Sequence, residues 1–357
     1  MADVKSPERR TGFFCRIGPA LTLMVLAPLV AETLQGATTP STYAAFPPIF
    51  FFEMAVWGGG ALFARYFMRK FNLGGLNLLL LALVLAVAEE FIIQQTSIAP
   101  VIIQLKGVEY ARAFGVNYVY FPWALIYEAV YVVLIPVLLT ELIFPTRRRR
   151  TWISTGGFIT ASIFFVIGAL GAWYSWTQIA RTMMHLPHYD PPLTHLVAGA
   201  AMIAVLIFLA LGPTSRAIAN APKPLAPPPP IVLGALSFVF AVLVEALAAM
   251  AFGAAPTISP VIVLGLTFVV VALAIWLVPS WAAHAKWRDA HRYGLVFGGI
   301  VGNSLAGFLG FVSIDSLSPL HLSVFATPLD FWGKVGVDVI ALVLLIVLGT
   351  RVGRQSA

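Results

Sequence analysis

The sequence predicts an all-α fold: a polytopic transmembrane helix bundle of about ten helices with both termini in the cytoplasm. The first indication is composition, since 60% of the 357 residues are hydrophobic and only 10% are charged, whereas about a quarter of the residues of a soluble domain are charged. The second is a series of apolar segments of about 20 residues, the length needed to cross the hydrocarbon of a bilayer. The third is the position of the basic residues, which concentrate in alternate loops.

Ten segments are long and apolar enough to be predicted as membrane-spanning helices. They cover residues 17–36, 47–69, 74–97, 119–143, 152–176, 193–212, 231–253, 258–279, 293–312 and 331–350. The first segment follows a basic stretch, as a secretory signal would. We expect it to be retained, because the charge pattern of the later loops requires it.

Lysine and arginine are enriched in the loops on the cytoplasmic side of a membrane. When the N terminus is placed inside, all 22 basic residues fall on that side except Lys106, Arg112, Arg181 and Lys334. Adding or removing one helix would break this agreement, so the pattern favours ten helices. The net charge of +7 therefore reflects orientation in a lipid bilayer, and no nucleic-acid partner is expected.

A proline-rich stretch at 219–230 divides the predicted helices into two blocks. Its prolines favour an extended polyproline conformation, so we predict a cytoplasmic linker between six helices at 17–218 and four helices at 231–350. Residues 1–16 and 351–357 are predicted to be cytoplasmic tails. The sequence does not indicate an oligomeric state.

Seven carboxylates lie inside the predicted helices, all in the outer half of the membrane. They are Glu32, Glu53, Glu89, Glu90, Glu128, Glu245 and Asp338. An ionised side chain at the centre of a bilayer helix costs roughly 2.5 to 3.5 kcal/mol, and no lysine or arginine is predicted deep among these acids. Each acid must be protonated, hydrated in a cavity or matched by a bound cation. For any single acid, the alternative is protonation with a hydrogen bond to a neighbour on its own helix.

Two acids have a basic neighbour in the sequence. Glu141 lies at the cytoplasmic end of the fourth helix, beside the arginines at 147–150, and is predicted to form an interfacial ion pair. Asp338 follows Lys334 by four residues, which places the two side chains on one helix face. Asp338 is therefore as compatible with a structural ion pair as with a binding site.

Glu89 and Glu90 have no such neighbour. Gln94 follows Glu90 by one helical turn, so the carboxylate and the amide are predicted to project together, whereas Glu89 points about 100° away. Adjacent carboxylates in a low dielectric resist ionising together. A proton shared or exchanged between them is therefore expected.

An aromatic face is predicted on the fourth helix. Tyr120, Trp123, Tyr127 and Tyr131 recur at spacings of three or four, and Glu128 follows Tyr127. Aromatic rings beside an acid are suited to hold an organic cation. The alternative for Tyr120 and Trp123 is anchoring at the membrane interface.

Three consecutive glycines at 58–60 lie on the second helix, close to Glu53, and Gly298 and Gly302 stand four residues apart on the ninth. Small residues at such positions allow helices to approach closely. For the triple glycine, the alternative is that it unwinds the second helix and creates a binding notch.

The only cluster with metal-ligating chemistry is in the outer loop before the sixth helix and at its start. It contains His185, His188, Asp190 and His195, residue types that bind zinc or another transition metal. Their spacing matches no strong metal motif. The alternative is that they are ordinary solvated loop residues, and no cofactor is predicted.

The Glu89-Glu90 pair in an apolar helix resembles the first motif of the CAAX-protease and bacteriocin-processing (CPBP) family of intramembrane enzymes. In that family, arginine stands four residues after the second glutamate, where this chain has Gln94. The nearest approach to the second motif, phenylalanine four residues before histidine, is Trp287 with His291 on the opposite membrane face. The third motif, histidine four residues before asparagine or aspartate, is absent.

A broader set of short motifs covers the first four helices. They are Ala27-Pro28-Leu29, Ala31-Glu32, Thr39-Pro40, Gly58-Gly59-Gly60 with Arg65, Glu89-Glu90, and Leu139-Thr140-Glu141-Leu142 with Phe144-Pro145. In these the chain is similar to a group of uncharacterised bacterial multi-pass proteins. The resemblance implies a location in the bacterial inner (plasma) membrane and no particular activity.

These observations predict a proton- or cation-coupled transporter of a small solute, which can itself be cationic, with an outward-opening acidic cavity. The expected site contains Glu53, Glu89, Glu90, Gln94, Tyr127, Glu128, Tyr131, Glu245 and Asp338. One alternative is an intramembrane hydrolase or lipid-modifying enzyme that uses Glu89 or Glu90 as a general base, with or without a metal. Another is a non-catalytic assembly partner whose acids pair with basic helices of a second protein.

Overall fold

The structure is a computed structural model that describes residues 13–99, 110–183, 185–251, 255–317 and 327–356. Most of the predicted N-terminal tail and Lys106 lie outside these residues. The described chain consists of helices and one short antiparallel hairpin. The prediction of an all-helical fold is confirmed.

The first four predicted segments form helices that are continuous but change type along their length. They are α1 (Phe13–Pro28) with π1 (Leu29–Thr33); α3 (Pro48–Glu53) with π2 (Met54–Gly58) and α4 (Gly59–Lys70); α5 (Gly75–Ala88) with π3 (Glu89–Ile93); and α6 (Tyr120–Tyr127) with π4 (Glu128–Leu134) and α7 (Ile135–Ile143). A short helix, α2 (Pro40–Ala45), follows π1, and the hairpin strands β1 (Arg112–Ala113) and β2 (Val116–Asn117) precede α6.

The later segments are mostly regular α-helices. They are α8 (Thr155–Tyr174) with π5 (Ser175–Ala180) and α9 (Arg181–Met183), α10 (Leu193–Leu211), α11 (Ser215–Ala219), α12 (Pro230–Ala251), α13 (Pro260–Ala282), α14 (Asp289–Leu317) and α15 (Pro328–Ser356). A 3₁₀ turn at Pro145–Arg147 follows α7. Residues 221–229 of the proline-rich linker form no helix.

Among the described residues, seven helices are long and apolar enough to cross a membrane. They cover Gly75–Ile93, Tyr120–Ile143, Thr155–Ala180, Leu193–Leu211, Pro230–Ala251, Pro260–Ala282 and Pro328–Arg354. A shorter apolar helix covers Ile17–Thr33. The chain is therefore a membrane-embedded, multi-pass helical protein. The count of ten helices and the cytoplasmic position of the termini remain predictions.

The bundle has an inner and an outer layer. Most residues of the spans at Gly75–Ile93 and Tyr120–Ile143 are buried, whereas few residues of the spans at Thr155–Ala180 and Pro260–Ala282 are buried. The helices of the outer layer expose large apolar side chains such as Phe268 and Leu266, as lipid-facing helices do. The protein interior is thus built mainly from α1, the helix at 48–70, α5 and the helix at 120–143.

Glycines set the closest helix approaches, as the sequence predicts. A Cβ on Gly298 of α14 would collide with the carbonyl oxygen of Gly234 on α12, and Gly302 packs against Phe238 and Ala241 of the same helix. A Cβ on Gly58 would collide with the backbone of Met24 in α1. The triple glycine does not unwind the second helix, because the chain stays helical from Pro48 to Lys70.

The end of the bundle opposite the acids is closed by a buried ion pair. Arg65, 1% exposed, donates to Glu141 at 3.2 Å, and Arg69 donates to the same carboxylate oxygen at 2.7 Å. The interfacial ion pair predicted for Glu141 is present. Its partners come from the helix at 48–70 rather than from the adjacent arginines at 147–150, because packing brings α4 against α7.

Candidate functional site

Four of the predicted acids lie together in the interior. Glu89 interacts electrostatically with Glu90 and with Glu32 of π1, and Glu128 interacts with all three. Glu90 and Glu128 are within hydrogen-bonding range of each other. Glu89 is fully buried, and Glu90 and Glu128 are buried as well. We call Glu32, Glu89, Glu90 and Glu128 the carboxylate cluster.

Every member of the carboxylate cluster lies in a π-helical turn. Glu32 is in π1, Glu89 and Glu90 begin π3, and Glu128 begins π4. Glu53, which is not a member of the carboxylate cluster, directly precedes π2. In such a turn the amide bonds five residues back, as Gln94 N does to Glu89 O at 2.9 Å. Wide turns of this kind are rare and often occur at functional sites. Hydrophobic periodicity does not reveal them, so they are absent from the sequence-based expectations.

Glu90 has two hydroxyl donors from the chain that follows its helix. Thr96 donates to its carboxylate at 2.7 Å and Ser97 at 2.5 Å. Gln94, the predicted neighbour, is partly exposed and makes neither of these bonds. The chain reverses at Gln95, whose φ is +63°, and this reversal rather than the helical repeat selects the partners of Glu90.

Glu53 and Glu32 are linked by one hydroxyl. Thr38 donates to Glu53 at 2.8 Å and lies 3.2 Å from a carboxylate oxygen of Glu32. Tyr43 donates to the other oxygen of Glu53 at 2.7 Å. Thr38 and Tyr43 come from the segment after π1, and no sequence signal identified them. Glu53 is therefore a buried acid with its own donors at the edge of the carboxylate cluster.

Glu89 differs from the other acids, because both of its carboxylate oxygens are buried and neither has a hydrogen-bond partner among the described residues. One oxygen of Glu128 is in the same state. A buried polar group without a partner costs free energy, and a buried charge without one costs several kcal/mol. The centre of the carboxylate cluster therefore requires protons or a bound cation.

The aromatic face of the fourth helix is present and lies inside the bundle. Successive ring centroids of Tyr120, Trp123, Tyr127 and Tyr131 are 5.1, 5.2 and 5.1 Å apart. The Tyr127 hydroxyl donates to the carbonyl oxygen of Ala31. Tyr120 is buried, so it does not anchor the helix at a membrane interface.

Asp338 stands apart from the carboxylate cluster in an ion pair. Lys334 donates to Asp338 at 2.8 Å and to the carbonyl oxygen of Leu34 at 2.6 Å. Lys334 lies within α15, as the predicted helix at 331–350 implies, and it is 1% exposed. A lysine is thus buried beside the end of π1, and the structural pairing predicted as one alternative for Asp338 is the one observed.

The four candidate metal ligands do not converge. His188 and Asp190 form an exposed pair at 2.9 Å, whereas the ring of His195 contacts the carbonyl oxygen of Phe114 at 2.8 Å. Among the described residues, no three His, Cys, Asp or Glu side chains are arranged to hold a metal ion. The hydrogen bond of His195 to Phe114 connects the turn of the β1–β2 hairpin to α10.

The described cavities lie away from the acids. One of about 240 Å³ lies between α12 and α13, beside Leu247 and Val263, and one of about 460 Å³ lies between α12 and α14, beside Gly234 and Phe297. Neither is lined by a carboxylate. Glu89, Glu90 and Glu128 are buried and Glu32 is partly exposed, and the outward-opening cavity expected around these acids is not among the two cavities.

Trp287 and His291, the nearest approach to the second motif of the intramembrane enzymes, lie away from Glu89. Trp287 stacks on His291 with ring centroids 5.2 Å apart, close to Asp289, which pairs with Arg148 at the end opposite Glu89. Comparison of the chain with protein-family models, with curated proteins and with solved structures finds no match.

Proposed function

We propose that this protein is a proton- or cation-coupled membrane transporter whose ion site is the carboxylate cluster. The observation that carries the proposal is the burial of Glu89. Its two carboxylate oxygens have no hydrogen-bond donor among the described residues, and two further acids, Glu90 and Glu128, lie beside it. Three carboxylates cannot remain ionised together in a low-dielectric interior without a positive counterpart. A mobile proton or cation supplies it.

Among the described residues, no basic side chain forms an ion pair with the carboxylate cluster. Lys334 donates to Asp338 and to the carbonyl oxygen of Leu34, and Arg65 pairs with Glu141 at the opposite end of the bundle. Intramembrane acids without a basic partner are typical of ion pathways and proton relays. The closed packing around Glu89 corresponds to an occluded form, in which the bound ion is shielded from both membrane faces.

The π turns supply a means of opening the site. When a π turn converts to an α turn, its hydrogen bonds shift from five residues to four, and the following segment rotates by about 100°. Such a shift in π3 would rotate the parts of the helix on its two sides relative to each other, and so would move Glu89 and Glu90 relative to Glu128 of π4. Exposure of the acids and loss of their mutual contact would therefore occur together, which couples ion release to a change of access.

The aromatic row favours a small cationic solute as the transported substrate. Tyr127 and Tyr131 lie beside the acids, and ring faces attract organic cations. The orientation predicted from the basic residues places the cluster in the outer half of a bacterial inner membrane, so the ion would enter from the outside.

The first test needs no substrate. Infrared difference spectra of the purified protein should contain a protonated-carboxyl band that disappears when the pH is raised, and Glu89→Gln should weaken it. Asp190→Asn is the matched control, because Asp190 is exposed and pairs with His188 rather than with a member of the carboxylate cluster. An unchanged band in both Glu89→Gln and Glu128→Gln would refute the ion site.

The second test measures coupling. Proteoliposomes loaded with a pH-sensitive dye should show an internal pH change when tetraethylammonium, as the probe solute, is added outside. Glu89→Gln should reduce the rate at least tenfold, whereas Asp190→Asn should retain it. Cleavage or modification of lipid by the wild-type protein, in place of flux, would favour the enzyme alternative.

A further inference from the structure

A second group of unpaired oxygens lies beside the carboxylate cluster but does not belong to it. It consists of Glu245 Oε1, Gln35 Oε1, Asn303 Oδ1 and the hydroxyl of Tyr131. None of these four buried atoms has a hydrogen-bond partner among the described residues. We call these four residues the Glu245 site. Glu245 and Tyr131 were expected on sequence grounds, whereas Gln35 and Asn303 were not.

Four parts of the bundle bring the Glu245 site together. Gln35, just after π1, donates through Nε2 to Glu245 Oε2 of α12 at 3.3 Å. Tyr131 of π4 interacts electrostatically with Glu245. Tyr127 links the remaining residue, because it contacts Glu245 electrostatically and lies within hydrogen-bonding range of Asn303 on α14. The rings of Tyr127 and Tyr131 are 5.1 Å apart.

The amide nitrogens determine the direction in which the amide oxygens point. Gln35 Nε2 is used by Glu245, and Asn303 Nδ2 donates to the carbonyl oxygen of Val30 at 3.3 Å. In each amide, the oxygen therefore points away from the acceptor to which the nitrogen of the same amide donates. Tyr131 and Asn303 have no exposed surface and Glu245 is 5% exposed, so bulk water does not satisfy these atoms, and leaving them unpaired is costly.

We infer that the Glu245 site binds a monovalent alkali-metal cation, with Na⁺ as the simplest case. Hard cations are bound by carboxylate, amide and water oxygens, and the four unpaired atoms are all oxygens. Protonation of Glu245 would satisfy its own Oε1 and would allow it to donate to Gln35 Oε1, but it would leave the amide oxygen of Asn303 without a partner. One carboxylate supplies one negative charge, which matches a monovalent ion.

The Glu245 site is separate from the carboxylate cluster. Tyr127 adjoins both groups, since it interacts electrostatically with Glu245 and with Glu32. Ion binding at Glu245 is a property of the purified protein and stands whether or not the chain transports a solute. Only the further role of Na⁺ as a coupling ion rests on the proposed function.

The test is the thermal unfolding of the full-length protein in detergent, in sodium, potassium or choline chloride at one ionic strength. A bound ion raises stability by RT ln(1 + [L]/Kd), so the melting temperature should rise in sodium or potassium relative to choline and should saturate with concentration. Binding of radioactive Na⁺ to the same preparation should saturate in the same range. An identical melting temperature in all three salts would overturn the inference.

Variants locate the ion. Glu245→Gln keeps the shape but removes the charge, and should weaken Na⁺ binding at least tenfold. Tyr131→Phe removes one oxygen and should weaken binding less, which keeps the test decisive if Glu245→Gln fails to fold. Asp190→Asn is the matched control, because Asp190 is exposed and belongs to neither site, and it should bind Na⁺ as the wild type does. Unchanged binding in Glu245→Gln and Tyr131→Phe would refute the site.

A charge addition tests the argument about valence. Asn303→Asp gives the site a second carboxylate, so its preference should move from Na⁺ towards Ca²⁺. The measurement is competition of Ca²⁺ against radioactive Na⁺ in the wild type and in Asn303→Asp. If Ca²⁺ competes equally well in both proteins, Asn303 is not a ligand and the four-oxygen site is refuted.

Discussion

The guanidinium of Arg65 lies 3.2 Å from the ring centre of Trp152 and is held there while it donates to Glu141. Its remaining nitrogens donate to the carbonyl oxygens of Arg148 and Arg150 at 2.9 and 3.2 Å. Arg65 therefore ties the second helix to the fourth and to the segment that follows it.

Glu141→Ala should destabilise the protein by about 3–5 kcal/mol, because it leaves the buried charge of Arg65 without its carboxylate. The measurement is equilibrium or thermal unfolding in detergent. The double variant Arg65→Met/Glu141→Leu should recover most of the loss, since replacing both partners with apolar groups is often neutral. Equal losses in the single and double variants would show that the ion pair is not the cause.

Gly298→Ala should destabilise the protein by about 1–3 kcal/mol, because a methyl group there would collide with the carbonyl oxygen of Gly234 and push α12 from α14. The matched control is Gly265→Ala on α13, where nothing lies within 4 Å. That change should be neutral or stabilising by up to about 1 kcal/mol through helix propensity. Parallel melting curves should separate the two, and similar shifts would contradict the contact.

Glu89 and Glu90 should respond in opposite directions to the same substitution. Glu89→Met removes a buried acid for which the described part of the chain supplies no hydrogen-bond donor, so stability should rise by at least about 1 kcal/mol at the expense of ion binding. Glu90→Met leaves the hydroxyls of Thr96 and Ser97 without their acceptor, so stability should fall by about 1–3 kcal/mol. The measurement is the melting temperature of each variant relative to the wild type. A lower melting temperature for Glu89→Met would mean that the Glu89 carboxylate already has a stabilising partner.

Asp289 should make stability depend on acid pH. Burial alone would disfavour its charge, but the hydrogen bonds and charges of Arg148 and Arg292 outweigh burial and lower the pKa of Asp289 below its ordinary value. The unfolded chain binds the proton more readily, so this stabilisation is complete above about pH 4. It is lost as the pH falls through the lower pKa of the folded state.

Asp289→Asn should flatten that acid-side loss in melting curves recorded between about pH 2 and 6. Asp190→Asn is the control, because Asp190 is 88% exposed, and it should leave the wild-type profile unchanged. A profile for Asp289→Asn that matches the wild type would contradict the ion pairs.

Lys334→Met should destabilise the protein by about 3–5 kcal/mol, because Asp338 loses its cation and the Leu34 carbonyl loses its donor. Lys334→Met/Asp338→Leu should recover the part that comes from the stranded carboxylate. A double-mutant cycle on unfolding free energies measures this coupling. Additive losses would show that Lys334 acts only through Leu34.

Local pattern was sufficient for some of these features. The Glu89-Glu90 pair, the aromatic row from Tyr120 to Tyr131 and the Lys334–Asp338 spacing depend on residues of one helix, so the helical repeat places them correctly. The helical repeat placed Gln94 beside Glu90, whereas the donors observed at Glu90 are Thr96 and Ser97, because the π turn and the reversal at Gln95 alter the repeat. Thr38, Tyr43, Gln35 and Asn303 were missed because each reaches its partner from a different segment.

The sequence by itself determined that this chain is a helical, multi-pass membrane protein and that its helices carry acids without basic neighbours. Both follow from composition and spacing, because crossing hydrocarbon demands long apolar helices and makes every charge within them costly. Only the tertiary structure decided which acids meet, which are paired and which are left unpaired. The reason is physical: packing at glycine contacts and the width of each π turn set the direction of every buried side chain, and neither is a property of one segment alone.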